Sequence, residues 1–221
     1  MKKQLSLAAA VLFTAGVLFI QGCKKDDTTP PTITLSGSSS MTMSLQGTYT
    51  EPGYTAEDDE DGDITANVTS DMSSTNPNKN LTGTYTITYT VTDAAGNQGT
   101  AVRTVTVVND AAALAKSYSV HDSCGVASVF NYAQVITAST TLNGRIHFDK
   151  FGDYSGNTAI YADVVGTTIT LPSQTANNIG TASEDHIFQG SGSISGSVIN
   201  LTYTDNNVSQ SATATCIAKF Q

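Results

Sequence analysis

Between Thr84 and Val91 the chain alternates without a break: Tyr85, Ile87, Tyr89 and Val91 share one parity, and four threonines occupy the other. A period of two places one set on each face of an extended strand, so this segment is a strand with one buried and one wet face. It runs into Asp93-Ala94-Ala95-Gly96-Asn97 and then a second run ending Val105-Thr106-Val107. Gly and Asn tolerate positive φ, so the pattern predicts a β-hairpin. Arg103 shares the parity of Val105 and Val107, which predicts either that the return strand begins after it or that a bulge intervenes.

Similar short runs precede the hairpin: Ile33–Leu35, Met41–Leu45, Thr48–Ala56 and Ile64–Ser70. Beyond it, residues 110–117 read as a linker or one short helical turn. Further runs follow at Tyr118–Val120, Val129–Thr140, Arg145–Phe148, Thr158–Val165, Thr168–Leu171, His186–Gln189, Ser193–Ser195, Val198–Thr204 and Ser211–Phe220. In the last run Ala212, Ala214, Cys216, Ala218 and Phe220 share a face, which points Cys216 inward. Only 13% of the residues are charged, and Thr, Ser, Gly and Asn are abundant, as suits short strands and many turns. The fold class is all-β. Closing a meander of about eight strands into an antiparallel barrel or sandwich removes its exposed edges.

The motifs Tyr54-Thr55-Ala56, Asp58, Asp61-Gly62-Asp63-Ile64-Thr65, Gly83-Thr84-Tyr85, Tyr89-Thr90-Val91-Thr92-Asp93, Gly96-Asn97 and Arg103-Thr104-Val105 together resemble the bacterial surface-protein immunoglobulin-like domain. The resemblance covers about residues 32–109 and implies a sandwich. Members of that family occur singly or in tandem in secreted and surface proteins, one of them a pesticidal crystal toxin, and have no general catalytic activity. Residues 118–221 loosely resemble the lipocalin-like β domains that follow such modules in surface lipoproteins.

The first 22 residues read as an export signal, with Lys2 and Lys3 ahead of an apolar stretch from Leu5 to Ile20. About 16 apolar residues are too few to span a bilayer, which takes roughly 20. Leu18-Phe19-Ile20-Gln21-Gly22-Cys23 resembles a lipobox, which implies lipid attachment at Cys23 and cleavage before it. Lys24-Lys25-Asp26-Asp27 resembles the export signal of surface-exposed Gram-negative lipoproteins, which implies the outer membrane and the cell surface. Residues 23–31 would be an acylated tether. Cys23 aside, two cysteines remain, Cys124 and Cys216. In an exported protein the pair invites a disulfide, worth roughly 4–5 kcal/mol on a chain-entropy account; two unpaired structural thiols are the alternative.

The chain has 19 acidic and 10 basic residues, a net charge of −9, which argues against nucleic-acid partners. The run Glu57-Asp58-Asp59-Glu60-Asp61-Gly62-Asp63 concentrates oxygen ligands on one loop, making Asp58, Asp61 and Asp63 candidate calcium ligands, although a solvated acidic turn has the same composition. A pairing of Asp63 with Arg103 is a further reading. His121, His147 and His186 are dispersed, and neither a nucleophile motif nor a phosphate-cradling loop is present. Gly190-Ser191-Gly192-Ser193 reads as a turn and strand edge. No cofactor is required on this reading, and no catalytic role is expected. Tyr132, Tyr154 and Tyr161 are the tyrosines left as candidate ligand contacts. The expected function is a noncatalytic surface lipoprotein whose immunoglobulin-like spacer presents a C-terminal β domain to a glycan, peptide or protein. The alternatives are a carrier of a small apolar ligand, which needs a hollow interior, and a purely structural component.

Overall fold

The structure is a computed structural model that describes residues 26–125, 128–154, 160–179 and 184–221. The signal segment and Cys23 lie outside the described residues. Seven strands build two sheets: β1 (Thr32–Leu35), β3 (Tyr54–Asp58) and β4 (Gly62–Asp63) form one, and β2 (Ser40–Ser44), β7 (Gln98–Val108), β6 (Gly83–Thr92) and β5 (Thr69–Ser70) the other. The β6–β7 hairpin pairs continuously from Gly83↔Val107 to Thr92↔Gln98. Ile87, Tyr89 and Val91 are buried, as their parity predicts, the first two against Met43, Leu45, Val105 and Val107 and Val91 against Ala56 and Ile64. β2 runs parallel to β7, so the edge of the second sheet comes from a segment far away in sequence.

Two of the strand expectations shrink. Of Thr48–Ala56 only the end is strand, because Tyr49 and Glu51 turn their side chains into the core instead of joining a ladder. Of Ile64–Ser70 only Thr69–Ser70 pairs, after a 3₁₀ turn at Thr65–Asn67.

The remaining strands are β8 (Ser117–Cys124), β9 (Ser128–Ala138), β10 (Arg145–Phe148), β11 (Tyr161–Val165), β12 (Thr168–Ile179), β13 (Glu184–Ser195), β14 (Val198–Asn207) and β15 (Ala212–Phe220). They close in sequence order into an eight-stranded antiparallel barrel whose seam joins β15 to β8. Cys124 and Cys216 face each other directly across that seam and form a disulfide, so the first and last strands are bonded covalently.

The barrel is filled. Phe151 packs against Phe148, Phe188 and Tyr203 at ring separations of 5.1, 5.1 and 4.8 Å, and Phe220 contacts Phe148 and Tyr118 at 5.8 and 6.1 Å. Ile146, Ile169, Leu171, Ile199 and Leu201 occupy the rest of the interior.

Gly190 and Gly192 do not form a turn. They lie in the middle of β13, where a side chain on either would collide with the backbone of β14 at Thr202 or Asn200, so their lack of a Cβ lets the two strands coil tightly. Pro172 likewise sits inside β12, at a register shift between Leu171 and Gln174 that spares it from the ladder.

The segment between sandwich and barrel is ordered. A 3₁₀ turn at Ala112–Leu114 buries Ala111 and Leu114 in the barrel core. Asn109, 3% exposed, donates from Nδ2 to the carbonyls of Ser139, Leu142 and Arg145 at 2.8, 3.0 and 3.2 Å, and its Oδ1 accepts from the amides of Ala111 and Gly144. Asp110 and Asn143 exchange two more bonds, and the Thr82 amide donates to the Thr140 carbonyl. With donors and acceptors satisfied on both sides, this is a fixed joint and not a flexible linker.

The parity of Arg103 is resolved without a bulge: β7 is regular through it, and Arg103 is fully buried. Its guanidinium donates to the carbonyls of Ser36, Ser38 and Gly53 and to Glu51 at 3.0 Å, so its ion-pair partner is Glu51 and not Asp63. Asp63 is exposed and accepts from the Thr65 amide. Burial pushes the Glu51 carboxyl up, but hydrogen bonds from Tyr49, Tyr89 and the Gly53 amide, with the charge of Arg103, outweigh it and hold the group below its ordinary value. That stability is present above pH 4.5 and is lost as pH falls through the depressed folded value. Glu51→Gln leaves a buried guanidinium without its counter-charge and should cost about 3–5 kcal/mol in urea unfolding at neutral pH. Adding Arg103→Met to that variant should restore part of the loss; equal stability of Glu51→Gln and wild type would remove the pair from its structural role.

Candidate functional site: the open end of the barrel

Strand direction puts the β8–β9 turn, the chain after β10, the start of β13, the end of β14 and the start of β15 at one end of the barrel, opposite the Asn109 joint. There β8, β9, β13 and β14 bring polar side chains onto the inward parity. Asp122 has the parity of Val120 and Cys124, and Asp205 that of Leu201 and Tyr203. An inward carboxylate near a strand end must find donors, and both do.

Asp122, 1% exposed, accepts from the Tyr203 hydroxyl at 2.6 Å and the Tyr132 hydroxyl at 3.3 Å. Asp205 accepts from the Tyr154 hydroxyl at 3.0 Å, and its other oxygen lies 2.6 Å from His186 Nδ1. The Tyr154 ring packs on the buried His186 imidazole at 4.6 Å. Burial and the adjacent aspartates push the Tyr132, Tyr154 and Tyr203 hydroxyls well up, so all three stay protonated and donate at any physiological pH.

The chain reaches this geometry through a 3₁₀ turn at Phe151–Asp153, where Gly152 and Asp153 both have positive φ. That bend drops Phe151 into the core and folds Tyr154 back across the barrel end. A Cβ on Gly152 would lie 3.1 Å from the Tyr154 ring, so the ring would have to give way, and the positive φ at this position favours glycine as well.

Above these pairs lies a cleft of about 300 Å³ whose walls include Phe130, Asp153, Tyr154, Tyr203 and Asp205. Phe130 is 41% exposed. Two of the three tyrosines singled out from the sequence therefore belong to one end of the barrel. Tyr161 does not: it lies on the outer wall, with the Arg145 guanidinium 3.7 Å from its ring centre and Arg145 itself bridged to Asp163. Asp122, Asp205, Tyr203, Phe130 and His186 were missed as site residues. The inward parity of the two aspartates was the available signal. Among the described residues Asp122 also clusters with Cys124 and Cys216, but the sulfurs are committed to the disulfide. The cleft offers aromatic faces, hydroxyl donors and carboxylate acceptors, and its chemistry is that of recognition by stacking and hydrogen bonding.

Comparison with known proteins bears on the sandwich. Residues 33–107 match the bacterial surface protein Ig-like domain. The N-terminal unit is such a domain. No curated protein matches the chain. Among solved structures, the lipoprotein BT2262 from Bacteroides thetaiotaomicron is 19% identical, with 86% of this chain and 100% of that one covered, at a TM-score of 0.34. The CBM51-2 and INT domains of Clostridium perfringens ZmpB, solved in complex with GlcNAc, are 16% identical over 86% of this chain and 43% of theirs, at 0.27. The ZmpB M60 catalytic domain with its CBM51-1 and CBM51-2 domains is 20% identical over 77% and 14%, also at 0.27. Scores this low leave the function to the site itself.

Burial pushes the Asp122 carboxyl up, with the Tyr203 and Tyr132 hydrogen bonds opposing, so the folded protein holds this proton more tightly than the unfolded chain. Its ionisation therefore costs stability above the ordinary value of 3.8, and the cost vanishes below it. Asp122→Asn keeps an acceptor for Tyr203 and removes the buried charge. Its melting temperature should equal or exceed that of wild type at pH 7, with the difference closing as pH falls below about 4.

Proposed function

We propose that this chain is a noncatalytic surface lipoprotein of a Gram-negative outer membrane, held by lipid on Cys23, in which the Ig-like domain is a spacer and the open end of the barrel binds a glycan. The observation that carries the binding assignment is the cleft itself, where Phe130 and Tyr154 stand beside Asp153 and Asp205. Aromatic faces pack against the C–H faces of sugar rings, and carboxylates accept from neighbouring hydroxyls. Such a site needs no positioned nucleophile; Asp122 is taken up by two phenol donors, while Asp205, with one oxygen on Tyr154 and the other on His186, keeps lone pairs for a further donor.

The filled interior favours this reading over an apolar-ligand carrier. The six rings of Tyr118, Phe148, Phe151, Phe188, Tyr203 and Phe220 occupy the volume that a carrier would leave hollow. The spacer role is supported by the Asn109 joint, which holds the barrel in a set position on the Ig-like domain with the cleft at the far end. The lipid anchor is supported by the residues before Cys23 and by the surface-protein family of the adjoining domain.

Two measurements test it. Intact mass of the native protein should show a chain starting at Cys23 with acyl groups, and protease added to whole cells should remove it; an unacylated N-terminus overturns the anchor. Titration of the purified protein with an oligosaccharide panel should find a binder whose affinity falls at least about tenfold in Phe130→Ala. Because Phe130 is partly exposed, the variant should melt close to wild type. Saturable binding untouched by Phe130→Ala and Tyr154→Phe, or no binding across the panel, overturns the cleft as a glycan site, and a peptide partner then takes its place.

A further inference from the structure

Three carboxylates converge at the end of the sandwich remote from the barrel joint. Asp58 closes β3, Asp93 follows β6 in the hairpin turn, and Asp27 lies on the segment leading into β1. Each offers an oxygen, and the three oxygens lie within 4.8 Å of one another. Calcium binds oxygens at 2.3–2.6 Å, so atoms sharing one ion are separated by at most about 5 Å. The cluster meets that limit.

Convergence alone would describe any acidic turn, but Asp58 adds a second observation. It is 9% exposed; its Oδ1 accepts from the Glu60 and Asp61 amides, while Oδ2 is buried and has no hydrogen-bond partner. A buried carboxylate oxygen left bare is costly, more so beside two further carboxylates. Asp93 is 8% exposed, and both its oxygens accept from Asn97 at 2.8 Å. Among the described residues, the ion pairs formed by arginine and histidine side chains go elsewhere, to Glu51, Asp163, Glu184 and Asp205.

We propose that Asp27, Asp58 and Asp93 bind one calcium ion, which ties the segment before β1 to the β3–β4 and β6–β7 turns. The set keeps Asp58 from the acidic run but takes its other members from elsewhere. Asp61 accepts from the Ala94 amide at 2.6 Å and clamps the two turns together, and Asp63 is turned toward Thr65. The framework is in place without the ion: Asn97 Nδ2 bridges Asp93 to the Asp27 carbonyl, and the Asp27 carboxylate accepts from the Thr29 amide. The site does not depend on the glycan reading. If the anchor on Cys23 is as proposed, the ion fixes the residues next to the membrane and so sets how the Ig-like domain leaves it.

The test is calcium titration of the EDTA-stripped protein by calorimetry, with melting temperature read in parallel. One equivalent should bind with a dissociation constant of about 0.1–1 mM, the range of extracellular modules, and about 10 mM calcium should raise the melting temperature by several degrees. Magnesium should do less, since its shorter bonds demand a tighter shell. Asp58→Asn should weaken binding at least tenfold, yet melt no lower than wild type in EDTA because it relieves the repulsion. Asp27→Asn, outside both sheets, should weaken binding with its EDTA melting temperature unchanged. Asp63→Asn should bind as wild type does. No heat and no melting shift in wild type at about 10 mM calcium overturns the site. So does Asp27→Asn that binds normally, or Asp58→Asn that melts equally lower with and without calcium, which would leave Asp58 a purely structural turn residue.

Discussion

A buried guanidinium organises the sandwich. Arg103 sits on an inner strand of one sheet, and its acceptors come from the chain that follows β1 and from the chain that leads into β3, the two neighbouring strands of the other sheet. A charge out of water is tolerated only when most of its donors are met, as both terminal nitrogens of Arg103 are while Nε has no partner, so the crossing segments have little freedom. Glu51 supplies the counter-charge and is itself held by Tyr49 and Tyr89, which joins the inward face of the hairpin to the same network. Through this network the sandwich has a specific arrangement and not merely a greasy interior.

The barrel solves its packing problem differently. Its interior is almost wholly apolar at the end that meets the Ig-like domain, with Leu114 and Phe220 in its core, and turns polar at the other end, where Asp122 and Asp205 are each met by phenols. A filled barrel leaves a ligand nowhere to go but a surface or an end. The disulfide at the β8–β15 seam lies beside the polar end and holds the mouth closed where the strands are farthest from the joint. Under the proposed function, rigidity at Asn109 and at the seam is what lets a shallow cleft be presented in a constant orientation.

Much of this was legible from residue order. Parity identified the faces of the hairpin strands and the inward face of β15, because a strand has a period of two whatever surrounds it, while the pairing of Cys124 with Cys216 was one of two readings that the cysteine count left open. Parity also placed Arg103 inward; what failed was the assumption that a charge cannot stay there, since its acceptors lie 50 or more residues away in the chain. Gly190 and Gly192 were misread as a turn for a related reason. A glycine needed for a close strand crossing and one needed for a positive φ look alike until the opposing backbone is known.

The sequence by itself determined where most of the strands lie and which faces they bury, the Ig-like domain and the cysteines available for pairing, because those follow from local periodicity and from motifs within a few residues. Only the tertiary structure decided which carboxylates meet. Asp58 is joined by Asp27 and Asp93 and not by its neighbours in the acidic run, and Asp122 and Asp205 arrive at one end of the barrel from strands some 80 residues apart. Convergence of that kind depends on register and closure, which are properties of paired strands and are not encoded in the spacing along any one of them.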